Sequence, residues 1–242
     1  MSLVVPAVLP SSREDLNGKL ALFASIPSVS RVQIDVVDGR VAAPASWPYS
    51  AKATQGTPYS APSELDAMVH TGEMLPNLDR VEYEVDLMCF DASAAAAAWL
   101  ALGATRLTFH TESALDMPRL LADVREQYGN FISLGCALNV TSDLALVRSC
   151  LNEVAYVQFM GIVRIGRQGQ PFDERVLENI ATFHTRYPDV PFQVDGGVSL
   201  ANAKKLIALG AENLVVGSSI LKASDPAAAF AQFEALKSPY GV

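Results

Sequence analysis

The sequence predicts an α/β fold, namely a single-domain TIM (β/α)8 barrel that comprises residues 1–242. Eight short apolar runs alternate with eight amphipathic stretches along the chain. Because such a barrel uses roughly 250 residues, this length suits a closed barrel better than an open doubly wound sheet. An open sheet with fewer strands is the alternative. The Gly-x-Gly-x-x-Gly turn of a dinucleotide-binding sheet is absent, since Leu9-Pro10-Ser11-Ser12 follows the first run.

Several of the predicted strands are continuous apolar runs rather than alternating ones. Continuous runs are typical of strands that are buried on both faces of a parallel sheet. In chain order the predicted strands are residues 3–9, 31–38, 81–88, 106–112, 133–140, 156–162, 192–198 and 213–220.

A predicted helix follows each strand, and capping residues mark several of the helix ends. The residues that can accept a hydrogen bond at a helix start are Ser12 with Asp15, Ser63 with Asp66, Asp91 and Asp173. Gly103, Gly129 and Gly210 each precede a strand, so we expect them to end helices in the left-handed conformation.

Composition excludes several classes of partner. The net charge of −8 and the pI near 4.9 disfavour nucleic acid and anionic membrane surfaces. The longest apolar stretch, residues 92–103, is shorter than the roughly 18 residues that a membrane span needs. The N-terminus shows no secretion signal and the three cysteines have no paired spacing, so a reduced cytoplasm is the expected compartment. The sequence is compatible with a homo-oligomer but identifies no interface.

Glycines follow the seventh and eighth strands, where barrels of this type commonly bind phosphate. The segments are VDGGV, with Gly196 and Gly197, and VVGSSI, with Gly217 and Ser218. Glycines let backbone N–H groups approach an anion closely, and the serine adds a hydroxyl donor. The alternative is that these glycines only form tight turns between strand and helix.

Three acidic residues are predicted to converge at the mouth of the barrel. Alternation along the strands puts Gln33 and Asp35 on one face of strand two, and it gives Asp86 and Asp195 corresponding places on strands three and seven. Buried carboxylates need a partner or a metal. Two of them on opposite sides of a substrate could transfer protons, and a divalent cation between them could stabilise an enediolate oxygen. The alternative is that one or two are helix caps or ion-pair partners of an arginine.

Three further positions are expected to contact a substrate. His110 is the only histidine near a strand end, Met160 closes strand six, and Gly169 lies in the loop after it. No lysine falls within a predicted strand, which argues against a Schiff-base mechanism.

The order of motifs along the chain resembles the ribulose-phosphate 3-epimerase family. The segments are PAVLPS, VQIDVVDG, EVDLM, LTFHTE, LGCALNV, VQFM, VDGGV and VVGSSI, and they extend from Pro6 to about Ala223. The resemblance implies a barrel that binds a ribulose phosphate, with Asp35 and Asp195 as the proton-transferring pair. It also implies that Gly196, Gly197, Gly217 and Ser218 hold the phosphate.

The chain departs from this family pattern at the metal site. The family holds its metal with two histidines and two aspartates, but here the histidines are replaced by Gln33 and Asp86. An oxygen-only set of Asp35, Asp86, Asp195 and Gln33 would favour Mg²⁺ or Mn²⁺ over Zn²⁺. The other alternative is that the metal has been lost.

Two loops also depart from the pattern. An early serine that helps the substrate is replaced by Ala7, and the sixth loop, residues 163–170, gains Arg164 and Arg167. These arginines either bind a second anionic group on the substrate or lie in solvent. Residues 39–62 form a loop of 24 residues with Trp47, Tyr49 and Tyr59, in the place of a lid.

The leading hypothesis is an isomerase or epimerase that acts on a small-molecule sugar phosphate by proton transfer next to a carbonyl. A magnesium-dependent lyase or decarboxylase is the first alternative. Related lyases carry Asp-x-Lys-x-x-Asp on strand three, whereas this chain has Asp86-Leu87-Met88-Cys89-Phe90-Asp91 without the lysine. A non-catalytic sugar-phosphate-binding barrel is the second alternative.

Overall fold

Eight parallel strands close into a barrel in the order in which they occur along the chain. The computed structural model describes residues 3–49 and 63–237. The strands are β1 Val4–Val8, β2 Arg31–Val37, β3 Glu82–Met88, β4 Arg106–His110, β5 Ser133–Leu138, β6 Tyr156–Met160, β7 Phe192–Asp195 and β8 Asn213–Val216. The predicted TIM barrel is therefore confirmed. That residues 1–242 make one domain stays a prediction, because residues 50–62 and both chain ends lie outside the described part.

Helices cover the outside of the barrel. They are α1 Arg13–Ala24, α2 Ser63–Thr71, α3 Ala92–Ala101, α4 Met117–Tyr128, α5 Ala145–Arg148, α6 Arg175–Arg186, α7 Leu200–Ala208, α8 Ser218–Leu221 and α9 Pro226–Glu234, with 3-10 turns at Gly129–Phe131 and Ala235–Lys237. None of the helices in the described ranges is both long and apolar enough to cross a bilayer.

Local signals place several helix ends where the sequence predicts them, but α6 begins one residue later than predicted, since Glu174 and not Asp173 is at its N-cap position. Ser12 and Asp91 cap α1 and α3, since each side chain accepts a backbone N–H of the first turn. Gly103, Gly129 and Gly210 all have positive φ, between 66° and 101°. The strand ends were predicted too long. Strand eight ends at Val216 rather than at residue 220, because Gly217 starts the short helix α8.

The apolar core lies between the strands and the helices, whereas the inside of the barrel is largely polar. Trp99 and an aromatic group of Phe159, Phe183 and Phe192 are fully or almost fully buried in the outer layer. Side chains that face the barrel axis include Gln33, Glu84, Asp86, Thr108, His110, Gln158 and Gln193, all with 1% or less of their surface exposed. Buried polar groups require hydrogen-bond partners, so the interior has to be organised as a network.

Candidate functional site

Three carboxylates meet at the carboxyl ends of the strands, as predicted. Asp35 on β2 lies directly opposite Asp86 on β3, and Asp195 ends β7. One oxygen of each carboxylate lies within 4.8 Å of the others. Asp86 is fully buried, while Asp35 and Asp195 retain 8% and 9% of their surface. A substrate in the mouth of the barrel can therefore contact Asp35 and Asp195, whereas Asp86 is close enough only to share an ion with them.

The amide of Gln33 lies between two of these carboxylates. Its Nε2 atom donates to Asp35 Oδ1 at 2.9 Å and to Asp195 Oδ2 at 3.0 Å. The Gln33 Oε1 atom is buried and has no hydrogen-bond partner in the described residues. Gln33 thus acts as a donor that reduces the repulsion between the two carboxylates, and it would contribute an oxygen ligand only with its amide turned over.

A second amide, that of Gln158 on β6, was missed by the sequence analysis. Its Nε2 atom donates to Asp86 Oδ2 at 2.9 Å and to Asp195 Oδ2 at 3.4 Å. Its Oε1 atom accepts a hydrogen bond from Gln193 Nε2 at 2.7 Å. The alternation that exposed the carboxylates also places Gln158 two residues before Met160, on the inward face of its strand. That alternation was the signal that could have found it.

His110 forms a buried pair with Asp86. Its Nε2 atom lies 2.9 Å from Asp86 Oδ1, and both side chains are fully buried. His110 does not line the cavity described below. Contact between His110 and a substrate stays a prediction, and the structure gives the ring a positioning contact with Asp86.

Burial and mutual repulsion change the acidity of this group. Burial, followed by the charges of Asp195 and Asp86, raises the pKa of Asp35 well above its ordinary value. Burial, followed by the charge of Asp86, raises the pKa of Asp195 to about 7. Burial alone would lower the pKa of His110, but the charge of Asp86 and the hydrogen bond to it outweigh burial and raise it. The cluster is therefore able to hold a proton at neutral pH.

A small cavity of about 40 Å³ opens beside the carboxylates. Of the residues predicted to bind substrate or transfer protons, those that line it are Asp35, Asp195, Gly196, Gly197, Gly217, Ser218, Met160 and Gly169. Ala7, Met88, Arg167 and Gln168 also line it. Gln33, Asp86 and His110 are fully buried and are not among its lining residues.

The glycines at the β7 and β8 ends allow close backbone contacts. Gly197 has φ of +67°, and a Cβ atom there would lie 2.7 Å from the Cα atom of Phe172. A Cβ atom on Gly217 would lie 2.5 Å from Gln168 Nε2. Ser219 Oγ donates to Val198 O at 2.7 Å and joins the two loops. Backbone N–H groups at this end can therefore approach an anion at short range.

The β6 loop, residues 163–170, crosses the mouth of the barrel. Gln168 Nε2 donates to Ala7 O at 3.2 Å, at the position where the family pattern has a serine. Arg167 Nε donates to Ala43 O at 2.8 Å on the β2 loop. Arg164 and Arg167 are both exposed, but only Arg167 lines the cavity. The two arginines, which the sequence could not distinguish, thus have different environments.

The described half of the predicted lid packs into the fold. Trp47 is 3% exposed and contacts Trp99 edge to face at 6.0 Å, while its backbone N–H donates to Pro10 O at 2.8 Å. Tyr49 is also buried. Tyr59 lies outside the described residues. Residues 39–49 therefore pack against the barrel and the β6 loop, and a closing motion stays a prediction.

The carboxylate cluster suits a hard divalent cation. Its three ligand oxygens are close enough to share one ion, and carboxylate oxygens are the ligands that Mg²⁺ and Mn²⁺ prefer. The three ligand atoms of the described cluster are all carboxylate oxygens, and the His110 imidazole is hydrogen-bonded to Asp86 Oδ1. The donor set thus fits Mg²⁺ or Mn²⁺ better than Zn²⁺.

Known proteins resemble this chain in both sequence and fold. The ribulose-phosphate 3-epimerase of Escherichia coli K12 is 29% identical over 129 residues, which cover 52% of this chain and 56% of that protein. The chain thus matches little more than half the length of this relative. The chloroplastic ribulose-5-phosphate-3-epimerase of Arabidopsis thaliana is 26% identical over 99% of this chain and 79% of its own.

The fold also matches solved barrels at low identity. The 3-hexulose-6-phosphate synthase of Salmonella typhimurium superposes with a TM-score of 0.65 at 16% identity, covering 98% of both chains. The sequence profile described as the ribulose-phosphate 3 epimerase family matches residues 67–221, which is more than half of the chain. On this match the chain belongs to the ribulose-phosphate 3-epimerase family.

Proposed function

We propose that this protein is a sugar-phosphate epimerase that moves a proton on the carbon next to the carbonyl of a ketose phosphate. The observation that carries the proposal is the pair of carboxylates, Asp35 and Asp195, that line one cavity from β2 and β7. These strands are not neighbours in the barrel, because β1 and β8 lie between them. A substrate held between the two carboxylates would present opposite faces of its reacting carbon to them.

The acidity of the pair supports transfer in both directions. One carboxylate must be ionised to remove the proton, and the other must be protonated to return one to the opposite face. Repulsion between close carboxylates opposes ionisation of both, and the pKa of about 7 for Asp195 lies near neutral pH. Gln33 donates to both side chains and holds them in place when the proton changes sides.

The phosphate of the substrate would bind at the ends of β7 and β8. Gly196, Gly197 and Gly217 bring backbone N–H groups to the cavity, and Ser218 adds a hydroxyl at the start of α8. With its phosphate there, the substrate would place its carbon chain over Asp195 and toward Asp35. Met88 and Met160 would contact the chain from the cavity wall.

The residues that would hold a divalent cation are Asp35, Asp86 and Asp195, with Mg²⁺ or Mn²⁺ favoured over Zn²⁺. When bound, such an ion would supply electrostatic stabilisation for the negative charge that develops on the substrate oxygens. His110 and Gln158 would position Asp86 for this role through their hydrogen bonds to its two oxygens.

The lyase alternative lacks its proton donor. At the place of the strand-three lysine, this chain has Met88, which is 2% exposed and lines the cavity. A thioether cannot donate a proton to a carbanion intermediate. We therefore prefer the epimerase to the lyase. The compartment that we propose for it is the reduced cytoplasm, and the ligand that we propose is a small sugar phosphate.

Substitution of Asp35 tests the proposal. We expect the wild-type protein, with Mg²⁺, to exchange the C3 proton of ribulose 5-phosphate with D₂O. In Asp35→Asn we expect a loss of about 10²–10⁴-fold in turnover, the range of general acid–base catalysis. Calorimetric binding of the phosphate should persist, because the phosphate end is unchanged. Asp189→Asn, an exposed site remote from the cavity, is the control.

Absence of exchange in the wild-type protein, with intact binding, would instead indicate the non-catalytic binder. Interconversion of the two epimers that survives in Asp35→Asn at the wild-type rate would show that the reaction does not need this carboxylate.

A further inference from the structure

We propose that Arg167 binds a second anionic group of the substrate, on the side of the cavity next to the β2 loop. The substrate class would then be a sugar phosphate with an anion at both ends, either a bisphosphate or a phosphorylated sugar acid. This inference rests on the proposed function, because it names the substrate of the same cavity.

Arg167 lines the cavity and has hydrogen-bonding capacity to spare. Its Nε atom donates to Ala43 O at 2.8 Å. In residues 3–49 and 63–237, no acceptor or carboxylate contacts its two Nη atoms. A guanidinium presents paired donors that match a carboxylate or phosphate. The two Nη atoms of Arg167 are therefore available to a ligand.

The hydrogen bond to Ala43 O restrains the exposed Arg167 side chain, and further contacts restrain the loop backbone that carries it. Gln170 Nε2 donates to Arg167 O at 2.8 Å and also to Arg164 O. Gly166 packs against the β2 side of the mouth, where a Cβ atom on it would lie 3.0 Å from Ala42 Cβ and 3.2 Å from Val37. A cation held in advance loses less conformational entropy when it binds an anion.

The position of Arg167 is distinct from that of the phosphate loops. Its anchor, Ala43, follows β2, whereas the phosphate loops follow β7 and β8. The phosphate end has a different cation nearby, since Lys222 Nζ lies 3.0 Å from where a Cβ atom on Gly169 would be. The cavity thus has one side next to the β2 loop and another at the loops after β7 and β8. A substrate that spans both sides would meet one cationic group on each.

The test compares three ligands by calorimetry. Ribulose 5-phosphate carries one anion, ribulose 1,5-bisphosphate carries two phosphates, and 6-phosphogluconate carries a phosphate and a carboxylate. We expect the wild-type protein to bind at least one of the two doubly anionic ligands about tenfold more tightly than ribulose 5-phosphate, a difference typical of a charge-assisted pair. The two doubly anionic ligands distinguish a second phosphate from a carboxylate.

Variants show whether Arg167 causes that preference. Arg167→Gln should remove the tenfold preference and leave the affinity for ribulose 5-phosphate unchanged, and Arg167→Lys should restore part of it. The matched control is Arg164→Gln in the same loop, which should behave as the wild type.

Equal affinity for all three ligands would overturn the inference, as would a preference that survives in Arg167→Gln or is lost equally in Arg164→Gln. If ribulose 5-phosphate is epimerised without any preference for a second anion, the proposed function stands and this inference fails. If none of the three ligands binds, both fail.

Discussion

At the residue scale, two glutamine amides determine how three buried carboxylates share one site. Gln33 joins Asp35 to Asp195, and Gln158 joins Asp86 to Asp195. Each N–H donor offsets part of the cost of burying a charge, which is several kcal/mol for an unpaired ion. At Gln33, an amide donor therefore stands where the family pattern has an imidazole.

The carboxylates were predictable from the sequence, but the amides were only partly so. The period of two along a strand places Asp35 and Gln33 on the same face, and register then brings Asp86 opposite. Period alone does not show whether an amide presents its nitrogen or its oxygen. That choice depends on the charges around Gln33 and Gln158, and these become neighbours only when the barrel closes.

The response of stability to Mg²⁺ should depend on pH. In the metal-free protein the raised pKa values of Asp35 and Asp195 mean that the folded state binds protons more tightly than the unfolded chain. The free energy of unfolding therefore falls as pH rises from about the ordinary aspartate value, near 4, toward 7. A cation binds the ionised carboxylates and competes with those protons.

We thus expect 5 mM Mg²⁺ to raise the melting temperature by about 2–4 °C at pH 8, as ligand linkage predicts for roughly 1 kcal/mol in a chain of this size. The rise should be smaller at pH 6. Asp86→Asn should remove the rise, and Asp189→Asn should retain it. A Mg²⁺ effect that is the same at both pH values, or that persists in Asp86→Asn, would contradict the carboxylate metal site.

At the element scale, the loops after β7 and β8 depend on backbone that only glycine adopts without strain. Gly197 has φ of +67° and is in close contact with the Phe172 backbone. Gly72, at the end of α2, has nearly the same φ of +69° with nothing within 4 Å of its notional Cβ. Alanine substitutions at Gly72 and Gly197 therefore distinguish the backbone strain of a positive φ, which both share, from the steric clash of a Cβ atom, which only Gly197 has.

We expect Gly72→Ala to lower the free energy of unfolding by roughly 1–2 kcal/mol, the cost of a left-handed non-glycine residue. Gly197→Ala should cost at least about 2 kcal/mol more, because the Phe172 backbone must move. It should also weaken binding of ribulose 5-phosphate more than tenfold. Urea unfolding and calorimetry measure the two effects. Equal losses of stability, with intact binding in both variants, would show that the β7 loop does not form the phosphate site.

The elements themselves were predicted well, and their ends less well. All eight strands and their order followed from the apolar runs, since strands buried on both faces need such runs. The end of strand eight was misplaced because Ser218, Ser219 and Ile220 continue an apolar and small-residue run. The chain turns into α8 at Gly217 instead, where a contact with Gln168 of the distant β6 loop occurs. A local sequence pattern cannot show a contact between residues so far apart in the chain.

At the scale of the whole molecule, a polar network continues through the barrel axis from the bottom to the site. Arg106 Nε donates to Glu84 Oε2 at 3.0 Å near the bottom, and Gln193 Nε2 contacts Glu84 Oε1. Gln193 in turn donates to Gln158, which donates to Asp86. Such a buried chain of hydrogen bonds restrains its side chains, and in the described residues only Gln193 Oε1 within this chain has no hydrogen-bond partner.

Substitution of Glu84 should therefore lower the free energy of unfolding far more than substitution of Glu82. Glu84 is fully buried between Arg106 and Gln193, so Glu84→Gln leaves the Arg106 charge without its partner and should cost about 3–5 kcal/mol. Glu82→Gln removes a carboxylate that is 38% exposed and pairs with Arg31 at 2.7 Å, and it should cost at most about 1 kcal/mol. Comparable losses of unfolding free energy in the two variants, measured by urea unfolding, would show that the axial network does not contribute more to stability than a surface ion pair.

The most direct test of the two-carboxylate mechanism follows the C3 proton of both epimers in D₂O. The substrates are ribulose 5-phosphate and xylulose 5-phosphate, and the proteins are Asp35→Asn and Asp195→Asn. Each variant keeps one carboxylate on one face of the substrate. We therefore expect each to exchange the C3 proton of one epimer only, the two variants choosing opposite epimers, with no interconversion. Interconversion by either variant at the wild-type rate, or exchange of the same epimer by both, would contradict the mechanism.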